Sequence, residues 1–181
     1  TQATYAAAMD DLVRKITERA AVETEEPWVV AALGGYGRRT LCLHSDVDLL
    51  IVFDRPIGPS EERFVNALLQ PLWDLKLTVG QHVRELSEFE GADDDQNPEF
   101  LMALCDLRLL TGDVRLFDEV CAVVHRGDAG RSDRLTATLL PLVEERYAEF
   151  NDTVYQLEPD VKKAPGGLRD ISAIRLLQWV S

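Results

Sequence analysis

The fold of this chain is indicated most clearly by one stretch of its sequence, Trp28-Val-Val-Ala-Ala-Leu-Gly-Gly-Tyr-Gly-Arg-Arg-Thr-Leu-Cys-Leu-His-Ser-Asp-Val-Asp-Leu-Leu-Ile-Val-Phe53. Its first part, Trp28 to Leu33, is apolar on both faces and is closed by two glycines, which predicts a buried strand. Residues 36–44 are predicted to form a turn or a short helix. The last part, Asp46 to Phe53, predicts a second strand that is acidic where it starts and apolar beyond. We therefore expect two buried strands joined through a glycine turn.

Helices and one further strand are predicted around this stretch. The strand covers residues 77–86, where polar and apolar residues roughly alternate. The helices are indicated by helical spacing of apolar residues or by a capping residue, and they cover residues 3–22, 60–76, 98–111, 113–126 and 132–157. A last amphipathic helix follows Asp170 and stops in mid-pattern at Ser181, so we expect the natural chain to continue.

The order of these elements predicts an α+β protein. A small mixed sheet flanked by helices is expected first, followed by an α-helical lobe that contains helices only. We place the α/β core, with its N-terminal helix, in residues 1–90 and the helical lobe, truncated at its C-terminus, in residues 91–181. The acidic run at residues 93–95 is interpreted as part of a solvated loop over residues 88–96.

Composition limits the partners of the chain. Its net charge of −13 over 181 residues repels a polynucleotide, and the sequence has no basic stripe, so we expect no nucleic-acid partner. No apolar stretch reaches the roughly 20 residues that cross a bilayer, and the first residues do not resemble a signal peptide. The cysteines Cys42, Cys105 and Cys121 lie far apart, which predicts reduced thiols. We expect a cytoplasmic protein that binds a small nucleotide or a protein.

Two acidic residues share one face of the second predicted strand. Alternation puts Asp46 and Asp48 on the same side, with Val47 pointing to the other. Two such carboxylates can hold divalent ions about 3.5–4 Å apart, the arrangement for in-line displacement at phosphorus. Magnesium suits hard carboxylate oxygens and keeps waters that substrate phosphates can replace. The alternative is that Asp-x-Asp, a common pair, has no function here.

The glycine turn before these acids favours phosphate binding. Gly34 and Gly35 carry no Cβ atoms, so backbone N–H groups there can approach a triphosphate. Arg38 and Arg39 follow and could neutralise phosphate charge. Ser45, just before the first acid, could donate to a phosphate or cap the turn. Taken singly, Gly-Gly indicates a tight turn and Arg-Arg a solvated surface, but together with two acids at this spacing they favour phosphate chemistry.

A resemblance to a known superfamily is carried by Leu33-Gly-Gly-Tyr-Gly-Arg-Arg39 and Ser45-Asp-Val-Asp-Leu-Leu-Ile51. Together they are similar to the nucleotidyltransferase signature of the polymerase-β-like superfamily. The closer resemblance is to the nucleotidyltransferase domain of the bifunctional PII uridylyltransferase/uridylyl-removing enzymes. The stretches that support it are Leu72-Trp-Asp-Leu-Lys-Leu-Thr-Val-Gly80 with Val83-Arg84, Leu107-Arg-Leu-Leu-Thr-Gly-Asp113, and Tyr155-Gln-Leu-Glu-Pro-Asp-Val-Lys162 with Pro165-Gly-Gly-Leu-Arg-Asp170.

The resemblance implies an enzyme of nitrogen regulation and signal transduction. It implies transfer of UMP from UTP to a tyrosine hydroxyl of a PII regulatory protein, with release of pyrophosphate. Asp46 and Asp48 would ligate Mg²⁺, or Mn²⁺ in its place. The residues that would bind the nucleotide are Gly34, Gly35, Arg38, Arg39, Ser45, Lys162 and Arg169, with Lys163 as a further candidate. For the last three the alternative is ordinary surface charge. HD-type hydrolase and ACT-type sensing domains are expected in the full-length protein.

One departure from the superfamily pattern concerns the third carboxylate. The superfamily usually supplies it from a later strand, to activate the attacking hydroxyl or to complete the metal site. Thr78 stands where we expect it, and Gln81 and His82 differ from the Gly-His-Ser sequence of many relatives. Asp106, predicted to be helical, is a candidate substitute, with a surface or helix-pairing role as the alternative. A two-acid site either suffices or means weak catalysis. Three alternatives stay open: a nucleotidyltransferase linked to CBS-type domains with another acceptor, a non-catalytic nucleotide-sensing module, which Thr78 favours, and a structural module that binds no nucleotide.

Overall fold

The computed structural model of the chain describes residues 1–90, 97–126, 130–150 and 160–180. These residues form two compact units. The first unit comprises Thr1–Gly91 and Asp106–Val124, and the second comprises Ala92–Cys105 and His125–Ser181. The predicted division at residue 90 differs from this one, because the segment Asp106–Val124 returns to the first unit.

Four strands and seven α-helices are present in the described residues. The strands are β1 (Trp28–Ala32), β2 (Val47–Phe53), β3 (Val79–Glu85) and β4 (Arg108–Gly112). The helices are α1 (Gln2–Ala20), α2 (Gly34–Gly37), α3 (Pro59–Asp74), α4 (Pro98–Leu104), α5 (Val114–Val124), α6 (Arg131–Glu149) and α7 (Leu168–Val180). Short 3₁₀ helices occupy Ala21–Glu23 and Leu86–Glu90.

The strands of the first unit form one mixed sheet in the order β3-β2-β1-β4. β1 runs antiparallel to both β2 and β4, whereas β2 and β3 are parallel and are connected through α3. In this register Ala32 pairs with Leu49, so β1 ends beside the start of β2. The expected α+β class, with a small mixed sheet flanked by helices, is confirmed.

The core of the first unit explains why β2 is apolar from Leu49 to Phe53. One face of the sheet, including Leu49, Ile51 and Phe53, joins buried residues of α1 and α3 in a single apolar cluster. The alternate residues Leu50 and Val52 are also fully buried. Because both faces of a central strand are covered, its sequence is a continuous apolar run rather than an alternating one. Burial of each such side chain stabilises the fold by about 1.5–3 kcal/mol.

The structure differs from the prediction after residue 104. The predicted helix over 98–111 ends at Leu104, and Arg108–Gly112 forms β4, so the expectation of helices only after β3 is wrong. Leucine and arginine favour helices locally, but pairing with the open edge of β1 outweighs that preference. Gly112 ends the strand with a φ of 121°, and a Cβ there would lie 2.3 Å from the carbonyl oxygen of Trp28. Only glycine fits this position.

The other predicted helices of this part of the chain are present. α5 and α7 lie where helices are predicted, and α6 runs over Arg131–Glu149. Residues 151–157 of the prediction, and residues 91–96 of the predicted acidic loop, lie outside the described residues. In the second unit α7 packs against α4 and α6. Among the described residues, no helix combines the length and the apolar character needed to cross a membrane.

Candidate functional site

The two predicted acids lie at the start of β2. Asp48 is the second residue of the strand and is half-buried, whereas Asp46 stands one residue before the strand and is exposed. Val47 between them is buried in the core of the first unit. The burial pattern fits the predicted alternation, with the acidic positions directed away from the apolar cluster. This edge of the sheet therefore carries two carboxylates near solvent.

Two glycines border the carboxylate of Asp48. A Cβ on Gly34 would lie 3.7 Å from Asp48 Oδ2, and a Cβ on Gly80 would lie only 2.4 Å from Oδ1. Gly80 is opposite Asp48 in the parallel ladder of β2 and β3. No other residue type fits at position 80 without moving the carboxylate. Gly80 is thus a site residue that the sequence analysis missed, although the Val-Gly pair within a predicted strand was a usable signal.

The glycine turn is held next to these acids by main-chain contacts. The amide of Leu33 donates to the carbonyl oxygen of Asp48 at 3.0 Å, which places the turn at the start of β2. Gly34 has a φ of 50°, a left-handed conformation that glycine adopts without strain. A Cβ on Gly37 would lie 1.8 Å from the carbonyl oxygen of Asp106. Glycine at this position lets the segment before β4 pack directly on the turn.

The arginines after the turn have different partners. Arg38, which is partly exposed, forms an ion pair and a hydrogen bond with the nearly buried carboxylate of Asp106. Arg39 is more exposed, and its guanidinium lies 3.9 Å from the buried Asp10. Asp106 lies in a turn just before β4, so the prediction that it is helical is wrong. Because its carboxylate faces Arg38, the geometry supports a role in orienting that arginine rather than a role as a third acid.

Ser45 and Thr78 both support the local backbone. The hydroxyl of Ser45 accepts a hydrogen bond from the amide of Cys42 at 3.2 Å, which favours the capping role over phosphate binding for this side chain. The carbonyl oxygen of Thr78 accepts a hydrogen bond from the amide of Val47 at 2.8 Å. Thr78 thus fixes the start of the β2–β3 ladder through its main chain.

The donor set fits a hard divalent cation that keeps part of its hydration shell. Asp46 and Asp48 provide carboxylate oxygens at an edge of the sheet that reaches solvent. In the part of the chain that is described, no group of three or more His, Cys, Asp or Glu residues is placed to hold a metal ion. Two carboxylates with waters or phosphate oxygens suit Mg²⁺ better than a metal that needs a complete protein cage.

Histidine 82 lies on the same face of β3 as Gly80, two residues further along the strand. It pairs in register with Leu50, which is fully buried. Burial lowers the pKa of His82, and the neighbouring positive charge of Arg84 lowers it further. The imidazole is therefore neutral at physiological pH, and it adds no positive charge on this face of the sheet.

The predicted site residues of the C-terminal part belong to the second unit. The side chain of Lys162 is exposed, and its amide donates to Asp160 Oδ1 at 2.8 Å. The amide of Lys163 donates to the same oxygen at 2.9 Å. Arg169 forms an ion pair with Glu99 at 3.0 Å. These contacts explain the local fold of the segment, while binding of a nucleotide by Lys162 or Arg169 stays a prediction.

Asp170 organises the glycine-rich segment before α7. Its carboxylate accepts hydrogen bonds from the Arg146 guanidinium, from the Tyr147 hydroxyl at 2.7 Å and from the Gly166 amide at 2.6 Å. Burial alone would raise the pKa of Asp170, but the hydrogen bonds from Tyr147, Arg146 and Gly166 outweigh it and hold the pKa below its ordinary value. The carboxylate is thus ionised at neutral pH and has a structural role.

Comparison with known proteins places the chain beside one group of enzymes. A family model described as GlnD PII-uridylyltransferase matches residues 135–180. The bifunctional uridylyltransferase/uridylyl-removing enzyme of Vibrio atlanticus is 36% identical over 174 residues, which are 96% of this chain and 19% of that protein. The enzyme of the same name from Bordetella parapertussis is 40% identical over 151 residues, which are 80% of this chain and 16% of that protein.

A third relative of the same name, from Haemophilus influenzae, is 37% identical over 83% of this chain and 17% of its own length. The chain therefore spans less than a fifth of these curated relatives. Among solved structures, a toxin–antitoxin complex with AMP-PNP matches 81% of this chain and 98% of its own, with 13% identity and a TM-score of 0.40. A structural likeness of that size supports no inference.

Proposed function

This chain is homologous to one section of the bifunctional uridylyltransferase/uridylyl-removing enzymes, and on that premise we propose that it transfers UMP from UTP to a tyrosine hydroxyl of a PII regulatory protein. The chain would supply the nucleotidyltransferase site. Because it spans less than a fifth of those relatives, we propose that HD-type hydrolase and ACT-type sensing domains occupy other parts of the full-length protein.

One observation carries the proposal: the carboxylate of Asp48 lies between Gly34 and Gly80, next to the exposed Asp46. Neither of these two glycines carries a side chain, so neither of them fills the space next to the carboxylate oxygens. This arrangement suits a cation and a phosphate group.

The reaction is a displacement at the α-phosphorus of UTP. The tyrosine oxygen of the acceptor forms a bond to phosphorus, the bond from phosphorus to the β-phosphate oxygen breaks, and pyrophosphate leaves while the hydroxyl proton passes to solvent. In this scheme Gly34 and Gly35 allow the backbone to approach the triphosphate. Arg38, oriented by Asp106, places positive charge beside the leaving pyrophosphate.

We assign Asp46 and Asp48 as the residues that hold Mg²⁺, with Mn²⁺ as a substitute. When bound, a divalent ion would neutralise part of the charge of the phosphates. The protein contributes the two carboxylates and a fixed strand that presents them. The support is the choice of hard oxygen donors and the exposure of Asp46, which leaves room for water and phosphate ligands.

The proposal is tested with Asp48→Asn, offered labelled UTP and purified PII protein. We expect loss of transfer by about 10²-fold or more, because the amide cannot replace a carboxylate that stabilises charge in the transition state. Asp54→Asn is the matched control, since Asp54 is an exposed aspartate just beyond the opposite end of the same strand. Turnover by Asp48→Asn equal to that of the control contradicts the assignment.

A second candidate is a nucleotide-sensing module without transfer activity. It is favoured by the pairing of Asp106 with Arg38, which leaves the described residues without a group of three acids for a metal. Such a module binds magnesium–UTP in calorimetry but releases no pyrophosphate with any acceptor. A transferase with another acceptor, such as one linked to CBS-type domains, releases pyrophosphate with that acceptor and not with PII.

A further inference from the structure

Arg108, the first residue of β4, contacts the back of the glycine turn. Its Nε donates to the carbonyl oxygen of Gly37 at 3.0 Å, and its Nη2 donates to that of Tyr36 at 3.1 Å. The guanidinium also lies over the Tyr36 ring, 5.5 Å from its centre. These two carbonyl groups are at the end of α2 that is remote from Gly34. One rigid, planar group therefore fixes two consecutive peptide units of the turn.

Asp10 of α1 holds Arg108 in this orientation. Its two carboxylate oxygens accept hydrogen bonds from Nη1 and Nη2 of Arg108 at 2.9 and 3.0 Å. The Asp10 side chain is only 3% exposed, and that of Arg108 is 20% exposed. Arg14 and Arg39 also approach Asp10, at 4.0 and 3.9 Å. A nearly buried carboxylate that faces three arginines is well compensated, so the pair is stable where it lies.

The turn would have more freedom without this support. Gly34 and Gly37 both lack side chains that could anchor them, and α2 has only four residues. Within the turn the amides of Gly37 and Arg38 donate to the carbonyl groups of Leu33 and Gly34 at 2.8 and 3.0 Å. A single turn of helix is marginal on its own because few hydrogen bonds oppose the loss of backbone entropy. Its geometry therefore depends on contacts from outside.

We propose that Arg108, oriented by Asp10, is a positioning residue that holds the glycine turn in the conformation that binds the triphosphate of UTP. The inference rests on the proposed function, since it names the residues that make that binding site rigid. Arg108 itself points to the rear of the turn and contacts no nucleotide. Its contribution is that the backbone amides of Gly34 and Gly35 are already placed when the nucleotide arrives.

Arg108→Lys in the intact protein tests the inference. Lysine keeps the charge near Asp10, but a single ammonium group cannot reproduce the planar fork that reaches two carbonyl groups. The control is Arg115→Lys, because Arg115 belongs to the same unit and its side chain is 90% exposed. The measurements are the Kd and KM for magnesium–UTP, kcat, the thermal midpoint, and hydrogen exchange at the amides of Gly37 and Arg38.

We expect Arg108→Lys to raise the Kd and KM for UTP by about tenfold, the size typical of residues that orient a ligand-binding group. The change in kcat should be smaller, and exchange at the amides of Gly37 and Arg38 should be faster than in the control. A purely structural role lowers the thermal midpoint and leaves the Kd, measured well below that midpoint, unchanged. Equal Kd values in Arg108→Lys and Arg115→Lys overturn the inference.

Two further outcomes keep this test separate from that of the proposed function. If the unsubstituted protein binds no UTP, the proposed function fails, and hydrogen exchange then decides the inference: unchanged exchange in Arg108→Lys overturns it. If Arg108→Lys does not fold, Asp10→Asn takes its place. Asparagine keeps the shape of Asp10 but offers Arg108 one acceptor instead of two, so a rise in Kd in the same direction, smaller in size, is expected.

Discussion

The chain contains two Gly-Gly turns, and they differ in what surrounds them. At Gly34-Gly35 the first glycine borders the carboxylate of Asp48, and a Cβ there would lie 3.7 Å from Oδ2. At Gly166-Gly167 the backbone closes on itself, since the amide of Gly166 donates to Asp170 and that of Gly167 donates to the carbonyl of Ala164. The first turn is next to solvent-facing acids, whereas the second is locked by an acid that accepts three hydrogen bonds.

The surroundings of the neighbouring carboxylate distinguish the two turns. Both turns are followed by arginine and preceded or followed by aspartate, so their composition alone does not separate them. Asp170 receives Arg146 and Tyr147 from α6, and these donors make it part of the framework. The carboxylate of Asp48, in contrast, is bordered by two glycines, Gly34 and Gly80. Substitutions at the glycines and at the neighbouring aspartates test this contrast.

Gly80→Ala should have the largest effect. The new methyl group would lie 2.4 Å from Asp48 Oδ1, so the carboxylate or the strand must move. A displacement of about 1 Å at a reacting centre costs roughly 10²-fold in rate. We expect the rate of UMP transfer to fall by that factor, whereas the thermal midpoint should change little. Transfer at the rate of the unsubstituted protein would show that the space beside Asp48 is not used.

Asp170→Asn should destabilise the second unit by about 1–3 kcal/mol, because donors that are partly buried lose their ionised acceptor. The expected result is a lower denaturation midpoint relative to Asp54→Asn, with the Kd for UTP nearly unchanged. Altered UTP affinity at full stability would instead place Asp170 in a binding site.

The stabilisation by Asp170 should also depend on pH. The pKa of Asp170 is lower in the folded state than its ordinary value of 3.8. Its contribution to the free energy of unfolding is therefore fully present when the pH is above 3.8. It is lost as the pH falls through the lower, folded-state pKa. The stability difference between the unsubstituted protein and Asp170→Asn should therefore be constant near neutral pH and shrink below pH 3.8. A difference that persists unchanged in acid contradicts the ionic interpretation.

Gly35→Ala should separate binding from folding. A Cβ at this position would meet Arg38 and Thr40 at 3.9 Å, an ordinary van der Waals distance, so the fold should tolerate the change. If the turn must approach a triphosphate closely, the methyl group stands in the way. We expect the Kd for magnesium–UTP to rise about tenfold, a loss of about 1.4 kcal/mol in binding, while the thermal midpoint stays within a few degrees. An unchanged Kd would mean that this face of the turn does not contact the nucleotide.

Gly166→Ala should have the smallest effect on UTP binding. Nothing lies within 4 Å of a Cβ at this position, but the φ of 79° is unfavourable for alanine. The cost should be about 1–2 kcal/mol in stability, from backbone strain alone. No change in UTP binding is expected, in contrast to Gly35→Ala. Reduced UTP affinity in Gly166→Ala would remove the difference between the two turns.

Much of the fold was predictable because local signals agreed with it. The buried strands β1 and β2, the helices α1, α3 and α5, and the position of the glycine turn follow from apolar periodicity and from turn residues. β4 was not predictable in this way. Its first three residues, an arginine and two leucines, favour a helix locally, and the segment forms a strand because the edge of β1 is available in three dimensions.

The candidate site was predictable only where its residues are close in sequence. Asp46, Asp48 and the glycine turn are close in sequence, so their spacing was informative. Gly80 reaches Asp48 through a parallel crossover, and Asp106 and Arg108 reach the turn through β4. Contacts between residues that are far apart in sequence leave no local pattern. The pairing of Asp106 with Arg38 could therefore be found only in the structure.

The return of Asp106–Val124 to the first unit has a consequence for dissection of the protein. A fragment that stops at residue 90 contains every residue of the glycine turn together with Asp46 and Asp48, yet it lacks β4, one of the two outer strands of the sheet. β1 would then present a row of unpaired backbone groups along an apolar strand, which is a template for self-association. Such a fragment should aggregate, and a fragment that includes β4 and the rest of the first unit, through Val124, should aggregate less.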